Sequence, residues 1–262
     1  LNPFLDQLGQ HRSIRKYRPD EIPRQDLGRI LDAATRASSS GNMQTYSIIV
    51  TRDAARRREL WKFHYEQDMI LQAPVLLTFC ADWNRMSRWC RISDAAPGFD
   101  NFLSFLVAFA DAMIAAQNAA LAAEAYGYGI CYMGTTLGCS EKLTAFFDLP
   151  RDVFPATTLV LGVPDENPDR RARLPIEGIL HEEKYEHFDD ERIRSIYHNR
   201  ETEGWKRYMS FPDLAQSISE SGVKNLAQIY TELKYTKADN EDVSEELLRC
   251  LRDQGFFGPA EV

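Results

Sequence analysis

The feature that most constrains this chain is an apolar stretch at residues 102–123, in which only Ser104, Asp111, Gln117 and Asn118 are polar. Its length suits a membrane span. Asp111 near the middle argues otherwise, because a carboxylate there costs about 2.5–3.5 kcal/mol even on the most lenient insertion scale. Many of the remaining residues are alanines, which are only weakly hydrophobic. The stretch therefore reads as a helix packed by protein on nearly every side, in a soluble chain.

Composition supplies the core that such a helix needs. Of 262 residues, 44% are hydrophobic and 27% charged, which excludes a disordered or fibrous chain. The length allows one large domain or two smaller ones. Thirty-one basic against 39 acidic residues leave a net charge of −8, so no global nucleic-acid footprint is expected, while a local anion pocket stays open. The five cysteines are odd in number and form no CxxC pair, which fits a reducing cytosol and indicates neither a disulfide framework nor a thiolate metal site. The five histidines are scattered, so no metal cluster is expected, and the N-terminus shows no signal-peptide pattern.

Along the chain, Pro23 opens a helix with Leu27, Ile30, Leu31 and Ala34 on one face, ended by the polar run at residues 38–42. Strands are predicted at residues 46–51, 73–80, 130–133 and 156–163, and helices at 53–63, 102–126 and 141–147. Residues 83–100 read as a loop-rich insertion, and 165–175 as an extended loop. Helices and strands alternate without a regular βαβ repeat, which predicts an α+β fold. The expected division is a main domain over residues 1–188 and a charged, helical extension over 189–262. The extension would pack on the main domain or on a partner subunit.

Four clusters carry potential chemistry. His11, Arg12 and Ser13, with Arg15 close by, offer the donors that a phosphate monoester needs, although a solvated basic turn has the same composition. Arg171 and Arg173 are two apart in a proline-stiffened segment, so both guanidinium groups can converge on one anion. Ser38, Ser39, Ser40 and Gln44 lie between a helix and a strand, where hydroxyls and an amide can read the polar edge of a planar ring. Tyr132, Met133, Gly134 and Thr135 end a strand, and Gly134 allows close backbone approach to a flat ligand. GxSxG, HExxH, GxGxxG and P-loop patterns are all missing. Anion-holding and ring-reading loops without a nucleophile suggest that a cofactor carries the chemistry.

In this order the clusters resemble the FMN-dependent nitroreductase family, and within it the longer, NADPH-using branch of oxygen-insensitive nitroreductases and flavin reductases. Further matching stretches are Phe79-Cys80-Ala81-Asp82, Ala116-Gln117-Asn118-Ala119, Leu161-Gly162-Val163-Pro164 and Asn167-Pro168-Asp169, and together they cover about residues 2–190. The resemblance implies a nitroreductase-like α+β fold with a central mixed or antiparallel sheet. It also implies an intertwined homodimer in which the long helix meets its partner, and a cytoplasmic enzyme acting on small-molecule oxidants.

By the same resemblance His11, Arg12, Ser13, Arg171 and Arg173 would hold the FMN phosphate. Arg15 would sit by the pyrimidine edge as the electrostatic catalytic residue. Ser38, Ser39, Ser40, Gln44 and Gln67 would meet the polar side of the flavin, and Tyr132, Met133, Gly134 and Thr135 the ring. Arg200 would grip the 2′-phosphate of NADPH, favouring it over NADH, with Lys206 and Arg207 as substitutes. Arg171 stands where the branch often has Lys, and Gly134-Thr135 where it often has two glycines. The implied activity is ping-pong two-electron reduction of nitroaromatics, quinones or free flavin. A flavin-binding sensor or carrier, or an offshoot with other flavin chemistry, would share these residues.

Overall fold

Strands β2 (Val75–Asp82) and β4 (Val153–Gly162) are buried at every residue, which is why both read as continuous apolar runs rather than alternating ones. They are the inner strands of a four-stranded antiparallel sheet, with β1 (Tyr46–Thr51) beside β2 and β3 (Gly129–Met133) beside β4, in a computed structural model describing residues 2–258. Of the mixed or antiparallel sheet expected, the described residues form the antiparallel one. Side chains alternate between two cores. Val75, Leu77, Phe79, Leu159 and Leu161 face α2 (Arg24–Thr35) and α6 (Phe102–Ala125). Leu76, Val160, Cys131 and Met133 face the other side, with Leu60 of α3 (Ala54–Phe63), Ile70 of α4 (Met69–Gln72) and Leu143 of α7 (Ser140–Phe146). Cys131 and Cys139 are packing residues of that second core.

The long apolar stretch is α6. Its alanines 112, 115, 116, 119, 120 and 123 are buried in the first core, while Leu103, Leu106 and Ile114 are exposed. By length and composition it could cross a membrane, and 44% of its most apolar part is buried, less than the expected packing on nearly every side. β4 begins at Val153 rather than at the predicted residue 156, and it runs through Pro155. Proline cannot donate to the ladder, and the register with β2 shifts at Phe79/Cys80, opposite Pro155, so the strand continues through an irregularity.

The expected loop-rich insertion at residues 83–100 is corrected by α5 (Asn84–Ile92). The Asp82 carboxylate accepts from the Arg85 amide at 3.2 Å at its start. The helix buries only Ser87 fully, and three arginines interrupt its short apolar stripe of Met86, Trp89 and Cys90. Trp83, just before it, donates its indole N–H to the Ser104 carbonyl at 2.6 Å and stacks on Phe99 at 4.1 Å. A second helix absent from the sequence reading, α1 (Pro3–Gln10), buries none of its residues.

The chain forms two compact units: residues up to Asp169 together with those from Val243 onward, and Arg170–Asp242. This differs from the compositional division at 188/189. Cys250, Leu251 and Phe256 pack with Ala81, Trp83, Phe105 and Phe154, which returns the end of the tail to the first unit. The second unit is helical, with α8 (Asp190–Met209), α9 (Pro212–Ser221), α10 (Leu226–Gln228) and a π-helical turn (Ile229–Lys234) leading into α11 (Lys237–Asp253). Ile218, Val223 and Ile229 form its core with Trp205, Tyr208 and Leu233.

Two glycines let the N-terminal segment lie flat on the sheet. Gly129 of β3 and Gly162 of β4 are register partners. A Cβ at Gly129 would come within 2.8 Å of Ile14, and one at Gly162 within 2.8 Å of the Tyr17 ring and 2.9 Å of Pro74. Gly162→Ala is therefore expected to lower stability by about 1–3 kcal/mol through overpacking. Gly28→Ala, in α2 with nothing within 4 Å of its Cβ position, should raise it by roughly 0.5–1 kcal/mol. Urea unfolding of the two variants checks both signs.

Candidate functional site

Packed against those glycines, residues 11–18 run along the ends of β3 and β4. The Ile14 amide donates to the Ile130 carbonyl at 2.9 Å, the Arg18 amide to Val163 at 3.0 Å, and Tyr17 bridges Pro164. Burying Ile14 and Tyr17 fixes this segment and leaves Arg15 and Lys16 exposed. The Arg12 guanidinium donates to the Asn167 amide oxygen and, at 3.3 Å, to the Pro168 carbonyl. It thereby joins the first cationic cluster to the segment that leads toward the second. Ser13 has no side-chain hydrogen bond among the described residues. Two carboxylates missed in the sequence lie here. Glu124 of α6 holds His11 Nδ1 at 2.6 Å, and Glu166 accepts from the Arg15 and Lys16 amides. Burial first, and then the Glu124 charge, push the Tyr132 phenol well above its ordinary range, and that phenol donates to Gln117 at 3.3 Å.

The serine turn is held from beneath by Asp111. This fully buried carboxylate accepts from the Ser40 amide at 3.0 Å, the Ser40 hydroxyl at 3.2 Å and the Thr45 hydroxyl at 2.9 Å. Ser39 Oγ accepts from the Gln44 amide N–H at 2.8 Å, and the Gln44 carboxamide turns back onto Asn42. Gly41, Asn42 and Gln44 all have positive φ, a conformation suited to glycine and tolerated by asparagine. Ser40 and Gln44 thus spend polar groups on shaping the turn, whereas Ser38 stays exposed.

Tyr132 and Met133 end β3, and Gly134 and Thr135 start a 3-10 turn (Gly134–Cys139). That turn is fixed to β4 by Thr136, whose hydroxyl accepts from the Thr158 amide at 3.1 Å. Thr135 shares a 2.7 Å hydrogen bond with Nδ1 of His64, a fully buried residue that sequence reasoning passed over. Gln67 donates its carboxamide to the His64 carbonyl at 3.1 Å. Burial pushes the His64 imidazole down to about 4 and the Cys139 thiol up to about 12, so at neutral pH both are uncharged.

Arg171, Arg173 and Arg200 belong to the second unit. Arg173 is exposed. Arg200 donates to the Tyr230 hydroxyl and lies over that ring at 5.7 Å, so its guanidinium is engaged within its own unit. Arg207 lies over Phe211 at 5.3 Å. No group of three or more His, Cys, Asp or Glu side chains suited to a metal ion occurs among the described residues.

The cationic segment on strand ends, the serine turn and the glycine-opened strand terminus are each anchored to the core of an α+β fold. The family model described as "Nitroreductase family" matches residues 8–163, and the chain belongs to that family. It is 31% identical over 246 residues to an FMN reductase [NAD(P)H] of Bacillus subtilis, covering 86% of this chain and 99% of that one. An oxygen-insensitive NADPH nitroreductase of Salmonella typhimurium is 36% identical over 193 residues, 74% of this chain and 79% of the relative. The crystal structure of an oxidoreductase from Bacteroides fragilis superimposes with a TM-score of 0.88 at 42% identity, over 96% of this chain and 99% of that one.

Two stability outcomes follow from the buried polar groups. Asp111→Ala removes the acceptor for three donors and is expected to cost about 3 kcal/mol in urea unfolding. His64 is held near 4 when folded against an ordinary 6.5, so the unfolded chain binds the extra proton between those values. Its contribution is complete above pH 6.5 and is lost as pH falls toward 4, about 3 kcal/mol in all. Unfolding free energies measured from pH 7 to pH 4.5 should fall less in His64→Asn than in the wild type.

Proposed function

We propose that this protein is an FMN-dependent NAD(P)H oxidoreductase that reduces nitroaromatics, quinones or free flavins by two electrons in a ping-pong cycle. The observation that carries the reading is the pinned segment at residues 11–16, which presents Arg12, Ser13, Arg15 and Lys16 beside the strand ends of a nitroreductase-family fold. The names of the relatives support the same chemistry. The donor set fits the group: two guanidiniums, an ammonium and an unengaged hydroxyl suit a phosphate and an electron-rich ring edge.

Arg12 and Ser13 would hold the phosphate. His11, engaged by Glu124, would orient the segment or contribute as a further donor. Arg15 would place positive charge beside the pyrimidine edge and stabilise the negative charge that develops on reduction. Ser38, Ser39, Ser40 and Gln44, kept in place by Asp111, would line the polar side with Gln67, and Tyr132, Met133, Gly134 and Thr135 the ring. When bound, FMN supplies the two-electron chemistry. The parts assigned to Arg171, Arg173 and Arg200 rest on the family resemblance, as does the preference for NADPH over NADH. Lys206 and Arg207 are the alternatives to Arg200.

The exposed stripe of Leu103, Leu106 and Ile114 on α6 supports a homodimer, since contiguous apolar surface of a few hundred Å² is seldom left bare on a monomer. We place the protein in the cytoplasm. The test is direct. Purified protein should be yellow, release FMN on denaturation and oxidise NADPH when a quinone is added. Arg12→Glu should weaken FMN binding at least about tenfold, since one charge-assisted bond contributes about 1.5–3 kcal/mol. Protein that is colourless and binds no added FMN overturns the reading. FMN binding without NADPH oxidation favours the carrier.

A further inference from the structure

His64 ends α3 and has no place among the residues assigned to the flavin, yet it touches two of them. Its ring bonds the Thr135 hydroxyl at 2.7 Å, and its carbonyl accepts the Gln67 carboxamide at 3.1 Å. Thr135 follows β3, 71 positions along the chain, so His64 ties two separate segments together. The ring is fully buried and its other nitrogen, Nε2, has no partner among the described residues. The Thr135 bond therefore fixes the orientation of the imidazole, and the imidazole in turn fixes Thr135. Cys139 completes the arrangement, donating its thiol to the Thr135 carbonyl at 3.1 Å, so that Thr135 is gripped at both hydroxyl and carbonyl. The same Nδ1 also lies 3.9 Å from the Cys139 sulfur, so the thiol adjoins both partners of the Thr135 bond.

We propose that His64 is a positioning residue for the flavin ring, its imidazole holding Thr135 beside the Gln67 that its backbone carbonyl anchors. The inference rests on the functional reading above, in which both residues contact the isoalloxazine. A leucine at this position would keep the packing and lose the bond. An asparagine keeps a polar atom at the distance of Nδ1 from the backbone and can restore it.

The experiment measures FMN dissociation constant, bound-flavin absorption spectrum and midpoint potential for the wild type, His64→Leu, His64→Asn, Thr135→Val and the double variant His64→Leu/Thr135→Val. His64→Leu and Thr135→Val should each weaken FMN roughly tenfold, the effect of losing one buried hydrogen bond with its partner stranded. Both should shift the spectrum in the same way. The double variant should bind no more weakly than either single one, because both remove the same bond. His64→Asn should return to within about twofold of the wild type if the amide remakes that bond. Wild-type affinity, spectrum and potential in His64→Leu, with only thermal stability reduced, overturn the proposal, as do additive effects in the double variant. If His64→Leu fails to fold, Thr135→Val carries the test, and unchanged FMN binding in it overturns the proposal. A wild type that binds no FMN overturns the functional reading as well, which separates the two failures.

Discussion

Asp111 is the interaction on which the arrangement of the polar loops depends. A carboxylate buried inside an alanine-rich helix is costly unless its oxygens are hydrogen-bonded, and here one amide and two hydroxyls satisfy them. All three donors come from the turn that carries the serine cluster. The residue that rules against a membrane reading of α6 is therefore the residue that fastens this turn to the core. Its position also fixes where the turn can lie, since Ser40 and Thr45 both reach the same carboxylate.

The same logic recurs at the other segments. Residues 11–18 are exposed and charged on one side, but Ile14 and Tyr17 sink over Gly129 and Gly162, and no side chain fits between them and the strands. Thr135 is exposed in part, and its hydroxyl is held by a histidine with no access to solvent. Each surface segment has a buried attachment, so its polar groups are carried by a rigid scaffold although they lie in loops.

Much of this fold was legible in the sequence because its signals are local. β1 and α3 follow from β-branched runs and an Asp cap, and the long helix from its unbroken apolar pattern. α5 was not legible, since it buries little and carries three arginines and an exposed Trp89. The early start of β4 was hidden by Pro155, whose effect depends on the register of a neighbouring strand. The candidate site was legible as composition and not as connectivity. Spacing identifies Ser40, Gln44 and Arg200 as polar groups, but not that they bond Asp111, Asn42 and Tyr230. His64, Glu124 and Glu166 left no motif because their partners lie 71, 113 and 151 positions away. The pairing of Gly129 with Gly162 is likewise visible only once the strands are aligned.

That the polar loops are extensions of the core is tested most directly by hydrogen exchange at the Ser40 amide, which donates to the buried Asp111 carboxylate. The account predicts that this amide, in an exposed turn, exchanges as slowly as the amides in the middle of α6. Exchange at the rate of an unprotected surface turn would contradict it.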